Sequence, residues 1–409
     1  MPRFSVHRIL LFAVVTSVLV GCSAPPKREI STETIRFAAL PNGHDPYNPE
    51  ELTKTAGGAQ MVGGRGVIRR LEKLHGHSLN IIELSGGGQN GAFGAGFLKG
   101  WRKTGTRPEF DVVTGVSTGA LLATHAFLGT PADDAVLEKL FTQTYPSKIY
   151  RKRGVLSGIL DLITGGRSFF DTSPMAAMID EVIDMDVLRR VAKAHDNNRR
   201  LWVGTTNMDY DQTWVWSMSA IAKQGDQEAL ELYKKVLRAS ASPPIAFPPV
   251  EIDGHLFADG SVRQNIVVVG LTGTVLPMSS KFGPGNKYVI RNGKDSKEPY
   301  AIQNAAVNMV GPALNIMMNN SMDTVLLRSY LAARIHDYNF HITSIPKEVA
   351  SGNNILAFNN QEMRNAFDAG FALAQQENAW RTAPKMLTDL PVWVLQPLRN
   401  TKLETKVGD

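Results

Sequence analysis

The sequence predicts a three-layer α/β/α fold, with helices on both faces of a central, mostly parallel sheet. Three observations carry that expectation. From Leu79 onward, short apolar runs alternate with stretches of helical period. Two glycine-rich turns, Gly86–Gly91 and Gly115–Gly119, each follow a strand-like run and open a helix-like one. Gly87 stands 30 residues before Ser117, which is room for one crossover helix between adjacent parallel strands.

The chain begins differently. Arg3 and Arg8 precede an apolar run from Ile9 to Val20, broken only by Thr16 and Ser17. Such a run is shorter than the roughly 20 residues that span a bilayer, but it suits a signal-peptide core. It ends in Leu19-Val20-Gly21-Cys22, which resembles the lipobox of bacterial lipoproteins. That resemblance implies a signal peptide at residues 1–21 and a lipid attached to Cys22. Ser23 in the next position implies the outer membrane, so the expected location is the cell envelope, on either face. A plain secretory signal with a chance cysteine is the alternative. Cys22 is the only cysteine, so the domain that follows has no internal disulfide.

Residues 22–77 read as a lipidated N-terminus and tether, with a short helix at Val67 to His75. Pro25, Pro26, Pro41, Pro46 and Pro49 prevent one long helix there. Residues 78–400 form the expected globular domain, and 401–409 a polar tail.

Within the domain, Leu79 to Leu84 is a strand, Ala92 to Lys103 a helix, and Phe110 to Thr114 the strand entering the second glycine turn. The helix leaving that turn runs to about Leu128, and Pro131 opens another over Ala132 to Thr144. Ile149 to Phe170 carries apolar residues at helical spacing, read as a core stripe or as a mobile cap. Asp171 is the expected N-cap of a helix reaching Ile183. Leu201 to Thr206 and Thr213 to Met218 read as paired strands, followed by a helix from Asp226 to Arg238. Asp253-Gly254, between Val250–Ile252 and His255–Phe257, signals a hairpin that delivers Asp259. Lys287 to Arg291 and Phe340 to Ile345 are strands. Ile302 to Met318, Met322 to Ile335 and Gln361 to Trp380 are helices, the first kinked at Gly311-Pro312.

Charge excludes little. With 20% charged and 43% hydrophobic residues the composition is ordinary for a globular protein. Removing residues 1–21, with two arginines and no acid, leaves 42 basic against 38 acidic residues, a formal +4. That favours adsorption to anionic lipid surfaces. It is too weak to suggest nucleic acid, and no basic stretch is interleaved with aromatics.

Gly115-Val116-Ser117-Thr118-Gly119 is Gly-x-Ser-x-Gly at a strand-to-helix turn, which forces a serine into a tight bend with its Oγ exposed. Gly86-Gly87-Gly88-Gln89-Asn90-Gly91 fits two chemistries. As G-x-G-x-x-G it matches a dinucleotide fingerprint, with Asp111 about 20 residues on. Asp111, however, opens the next strand, whereas a ribose ligand belongs at a strand's end. As an oxyanion hole, the glycines offer backbone N–H groups beside a helix N-terminus.

With the Ser/Pro-rich approach Ala239–Val250 and Asp259-Gly260, these motifs resemble the patatin-like phospholipase family from Ser78 to about Ser261. The resemblance implies a Ser–Asp dyad that hydrolyses acyl esters, with Ser117 as nucleophile and Asp259 as general base. It implies Gly86, Gly87 and Gly88 as oxyanion donors, Gly91 as the packing glycine of that loop, and Gly115 and Gly119 as the elbow glycines. Two departures stand out. Ser261 follows Asp-Gly where the family usually has Gly or Ala, and Asn90 precedes the last loop glycine where Arg or Lys is frequent. The implied substrate is a membrane phospholipid or another acyl-ester lipid. Two other readings stay open: an α/β-hydrolase triad completed by His336 or His341, and a non-catalytic envelope lipoprotein that binds acyl chains. His125 and His255 lie near the motifs and read as structural. No cofactor is expected, and no metal, because no His/Cys/Asp/Glu cluster has ligand spacing.

Overall fold

The computed structural model describes residues 38–39, 71–152, 170–269, 282–295, 306–350 and 354–388. Residues 1–21, Cys22, most of the expected tether, most of the Ile149–Phe170 stretch and residues 401–409 lie outside them.

The sheet runs β1 (Ala38–Ala39), β7 (Gln212–Ser217), β6 (Arg200–Asn207), β3 (Val112–Val116), β2 (Asn80–Leu84), β10 (Gly285–Lys294), β11 (Tyr338–Ile345). From β6 to β11 every neighbouring pair is parallel. β7 and β1 continue the sheet antiparallel. The hairpin of β8 (Val250–Ile252) and β9 (His255–Asp259) joins through β9, antiparallel to β6. Its turn has Asp253 at φ 51° and Gly254 at φ 76°, the paired left-handed geometry an Asp-Gly hairpin requires. β4 (Arg151–Lys152) and β5 (Phe170–Asp171) form a separate ribbon.

Strand periodicity splits the core into two layers. Ile82, Leu84, Val113, Leu201 and Val203 face the larger one. It is roofed by α1 (Gly91–Lys103), α2 (Thr118–Leu128), α3 (Pro131–Thr142), α4 (Pro146–Ile149), α5 (Ser173–Val182), α6 (Met185–Asp196), α8 (Gln227–Ser240) and α10 (Asn360–Leu373). Ile81, Val112, Val116, Trp202 and Val289 face the other, which is closed by residues 266–269 and by α9 (Ala306–Ile335). Helices thus cover both faces of a mostly parallel sheet, the three-layer arrangement expected. On the second face Glu83 is fully buried, 2.9 Å from the Lys287 ammonium, and accepts the Val269 N–H. This pair ties two strands to the segment that follows Asp259.

Several elements differ from expectation. The two helices expected over 302–335 are one, α9, with Pro312 inside it. Met318 and Met322, four apart, both turn inward and carry the helix through Asn319-Asn320-Ser321. Asp171 ends β5 instead of capping a helix, although its carboxylate accepts the Ser173 N–H and hydroxyl. α6 and α7 (Met218–Gln224) were not expected. α10 stops at Leu373, short of Trp380.

Candidate active site

Ser117 sits between β3 and α2 at φ 55°, ψ −125°, a left-handed backbone that a non-glycine residue holds only under constraint. Glycines allow the constraint. A Cβ on Gly119 would lie 2.3 Å from the Leu84 carbonyl oxygen, and one on Gly115 2.3 Å from that of Gly119. Ser240, at the end of α8, supplies a brace. Its Oγ accepts the Ser117 N–H at 2.9 Å and donates to the Gly204 carbonyl at 2.7 Å.

Strand register brings the partner. β3 pairs with β6 up to Val116 opposite Gly204. β9 runs the other way along the same strand and ends with Asp259 opposite Thr205, the next residue. The two strands meet head-on, and Ser117 Oγ donates to Asp259 Oδ2 at 2.6 Å. The other carboxylate oxygen accepts the Ser261 N–H at 2.8 Å. Burial pushes the Asp259 carboxyl up to about 6, against the opposing pull of the bonds from Ser117 and Ser261. Among the described residues no cation bonds to it. Ser261, the departure after Asp-Gly, thus holds the acid through its backbone, while its hydroxyl donates to Asn265 Oδ1.

The glycine loop lies beside this pair, with one change of role. The Gly86 N–H donates to the Asn265 carbonyl at 3.2 Å, so it is not a free donor. Gly86 instead packs under the site, where a Cβ would sit 2.4 Å from Ser261 Oγ and 3.0 Å from Ser117 Cβ. The Gly91 N–H turns back onto the Gly88 carbonyl, and a Cβ on Gly91 would lie 2.1 Å from Thr118 Oγ1, so this residue packs the loop on the elbow. Gly87 and Gly88 remain: among the described residues their N–H groups have no hydrogen-bond partner. Gly88, at φ 56°, is held in that turn by the Gln89 N–H bond to the Ile355 carbonyl.

Gly88, Ser117 and Asp259 open onto one cavity of about 40 Å³. Its other walls are apolar: Leu121 from α2, Met175 from α5, Phe247 from the Ser/Pro-rich approach, Met318 from α9, and Leu356 and Phe358 ahead of α10. Room for only a few waters remains, and Met175 and Met318 are the most adaptable of its walls.

The histidines do other work. His125 Nδ1 lies 2.9 Å from Asp133 Oδ1. His341 on β11 stacks on Tyr288 at 4.7 Å, and burial lowers its pKa. Among the described residues no histidine is a hydrogen-bond partner of Ser117 or Asp259.

Residues 83–271 match the family described as patatin-like phospholipase. This stretch is a patatin-like phospholipase domain. Its family comprises lipid acyl hydrolases. The patatin domain contains both glycine motifs and Asp259, whereas Met318, Leu356 and Phe358 come to the cavity from beyond its end. Among solved structures the chain is similar to VipD from Legionella pneumophila, at 15% identity and a TM-score of 0.37. That match covers 72% of this chain and 66% of the other, just under two thirds of its length. No curated protein matches the chain.

Sequence reasoning missed Ser240, Asn265 and the late cavity walls. Ser240 lies within the Ser/Pro-rich approach Ala239–Val250, but nothing local marks which serine of that run reaches the elbow. Cys22, where the sequence leads one to expect a lipid, lies outside the described residues.

Proposed function

We propose that the chain hydrolyses carboxylic ester bonds of phospholipids or related acyl lipids through Ser117 and Asp259, by way of an acyl-enzyme. The observation that carries this reading is the 2.6 Å bond between the strained Ser117 hydroxyl and a buried carboxylate without a cation. Ser117 Oγ attacks the ester carbonyl carbon and its proton passes to Asp259 Oδ2. The Gly87 and Gly88 N–H groups receive the oxyanion, each such donor contributing about 2.7–4 kcal/mol. The C–O bond to the alcohol breaks, and the alcohol leaves with the proton from Asp259. A water then gives its proton to Asp259 as its oxygen attacks the acyl carbon. The fatty acid departs, and Ser117 recovers the proton. A carboxyl raised to about 6 is a stronger base than a free one, yet mostly ionised at neutral pH.

Lipid rather than soluble ester is supported by the apolar cavity and by the helix beside it. α9 carries no charge before Asp323, and Met309, Ile316 and Met317 on its outer side are 42%, 58% and 52% exposed. Cys22 would carry the lipid that holds the domain at the membrane, as the lipobox-like run suggests.

The decisive assay compares wild type, Ser117→Ala and Asp259→Asn on vesicles of defined phosphatidylcholine, lysophospholipid and triacylglycerol. Ser117→Ala is expected to lose about 10⁴-fold or more in kcat; equal turnover by all three proteins would end the dyad reading. Cys22→Ser is expected to move the protein from the membrane to the soluble fraction, and unchanged fractionation would refute the anchor.

A further inference from the structure

At the end of the sheet opposite Ser117, three side chains converge that the reaction does not use. His75 closes a helical turn at residues 71–75, His77 follows two residues later, and Asp111 immediately precedes β3. Asp111 Oδ1 is 3.6 Å from His75 Nδ1 and 3.8 Å from His77 Nε2, and all three atoms lie within 4.8 Å of one another. Along β3 this cluster is about 20 Å from Ser117.

The hydrogen bonds behind these atoms fix what they present. His75 Nε2 faces the Asn198 carbonyl at 3.2 Å, and His77 Nδ1 faces the Ser78 carbonyl at 2.8 Å. A carbonyl only accepts, so each of those nitrogens carries the proton. In a neutral imidazole the remaining nitrogen then holds a lone pair. Asp111 Oδ2 accepts the Asn80 N–H at 2.7 Å, which orients Oδ1 toward the histidines. Three lone-pair atoms therefore lie within one small volume, an arrangement that favours a cation among them.

The separations are too long for direct hydrogen bonds between Asp111 and the histidines. Charge-assisted N–H···O bonds close to about 2.7–2.9 Å, well inside the separations seen. A tetrahedral ion with bonds near 2.1 Å holds its ligands about 3.4 Å apart, so the two Asp111 separations need contract only slightly, while the two histidines must draw together from within 4.8 Å. Backbone carbonyls behind both imidazoles also match the usual support of metal-binding histidines. His77 is 52% exposed, which leaves a water-accessible fourth position. Two nitrogens and one carboxylate oxygen suit a borderline cation better than calcium or magnesium, which take oxygen ligands.

We propose that His75, His77 and Asp111 bind a zinc-class divalent cation that clips the run-in to β2 onto the start of β3. Through Asn198 the clip also reaches the turn before β6. The expectation of no metal rested on the lack of a His/Cys/Asp/Glu cluster with ligand spacing, and Asp111 comes 34 residues after His77.

The test uses the full chain, purified without a polyhistidine tag, loaded with Zn²⁺ alone and dialysed. Wild type is expected to retain one zinc per chain, to melt at a higher temperature with Zn²⁺, and to give tetrahedral absorption bands with Co²⁺. His77→Ala, at a half-exposed position, and Asp111→Asn, which keeps an acceptor for Asn80, should each weaken Zn²⁺ binding at least about tenfold. No zinc retained by wild type, or equal retention by wild type and both variants, overturns the proposal.

Discussion

Two buried aspartates flank the helix that follows the nucleophile, and their surroundings give them opposite chemistry. Asp133 is 1% exposed and Asp259 is 2% exposed, so burial pushes both carboxyls up. At Asp133 that push is overcome. His125, the Thr130 side chain and backbone, and Arg190 all bond to it, and its pKa falls well below the usual carboxylate range. Asp259 has only the Ser117 and Ser261 hydroxyls and the Ser261 backbone N–H for company, and burial prevails. Desolvation alone therefore does not make a base; desolvation without a cation does. The chain even holds a His–Asp pair between the elbow helix and α3, but its aspartate serves the capping box at Thr130.

The largest expected effect breaks the comparison at Asp259. Asp259→Asn keeps an oxygen for the Ser261 N–H and an amide facing Ser117, but removes the proton acceptor. kcat/KM should fall by about 10²–10⁴, read in the same ester assay. Stability should move the other way. A carboxyl raised from 3.8 to about 6 favours the folded state fully below its unfolded value, and that contribution is lost as pH rises through 6. At pH 7 the ionised form costs about 3 kcal/mol, so Asp259→Asn should unfold at higher denaturant than wild type there. Near pH 4 the two should converge. A variant that is destabilised at pH 7 and unchanged at pH 4 would contradict the buried, unpaired state of this acid.

Wild-type kinetics sharpen the same point. kcat/KM should drop about tenfold per unit as pH falls below about 6 and level off above it. Asp133 contributes its own dependence, with opposite sign and at lower pH. Its depressed pKa gives stability that is present above the ordinary carboxylate range and lost as pH falls below it. A pH–rate limb near 4 instead of 6 would mean that Asp259 is not desolvated during turnover.

What could be read from the chain alone follows the same division. The Ser117 elbow, the glycine loop and the Asp253-Gly254 hairpin are local: glycine and turn chemistry fixes them within a few residues. The approach of Ser117 to Asp259 is partly so, because the motifs name both residues. Their 2.6 Å contact, though, depends on β3 and β9 sharing one edge of β6, which no local pattern states. Gly86 illustrates the limit. Its place in the loop was legible, but its N–H goes to Asn265, a residue brought in by the segment after Asp259. Met318 and Leu356 likewise reach the cavity only through the packing of α9 and the chain before α10.

Ser240 offers a smaller effect that tests how the strained serine is held. Ser240→Ala leaves the buried Ser117 N–H without its acceptor, at a cost of about 1–3 kcal/mol in stability. Loosening the elbow should lower kcat by about tenfold to a hundredfold with little change in KM. An unchanged kcat would mean that α2 and the flanking glycines hold Ser117 without it.

The smallest expected effect on turnover separates the dyad from any triad. His125→Ala removes one bond from Asp133 while Thr130 and Arg190 stay, so stability should fall by about 1–3 kcal/mol. kcat/KM at a temperature where the variant is folded should remain within about twofold of wild type. The same holds for His341→Ala, whose ring stacks on Tyr288 two strands away from β3. If either substitution lowered kcat a hundredfold with the fold intact, a histidine would have to reach Ser117 in the working enzyme. The contrast between Asp259 and Asp133 would then describe only a resting state, since the proton from Ser117 would have a second destination.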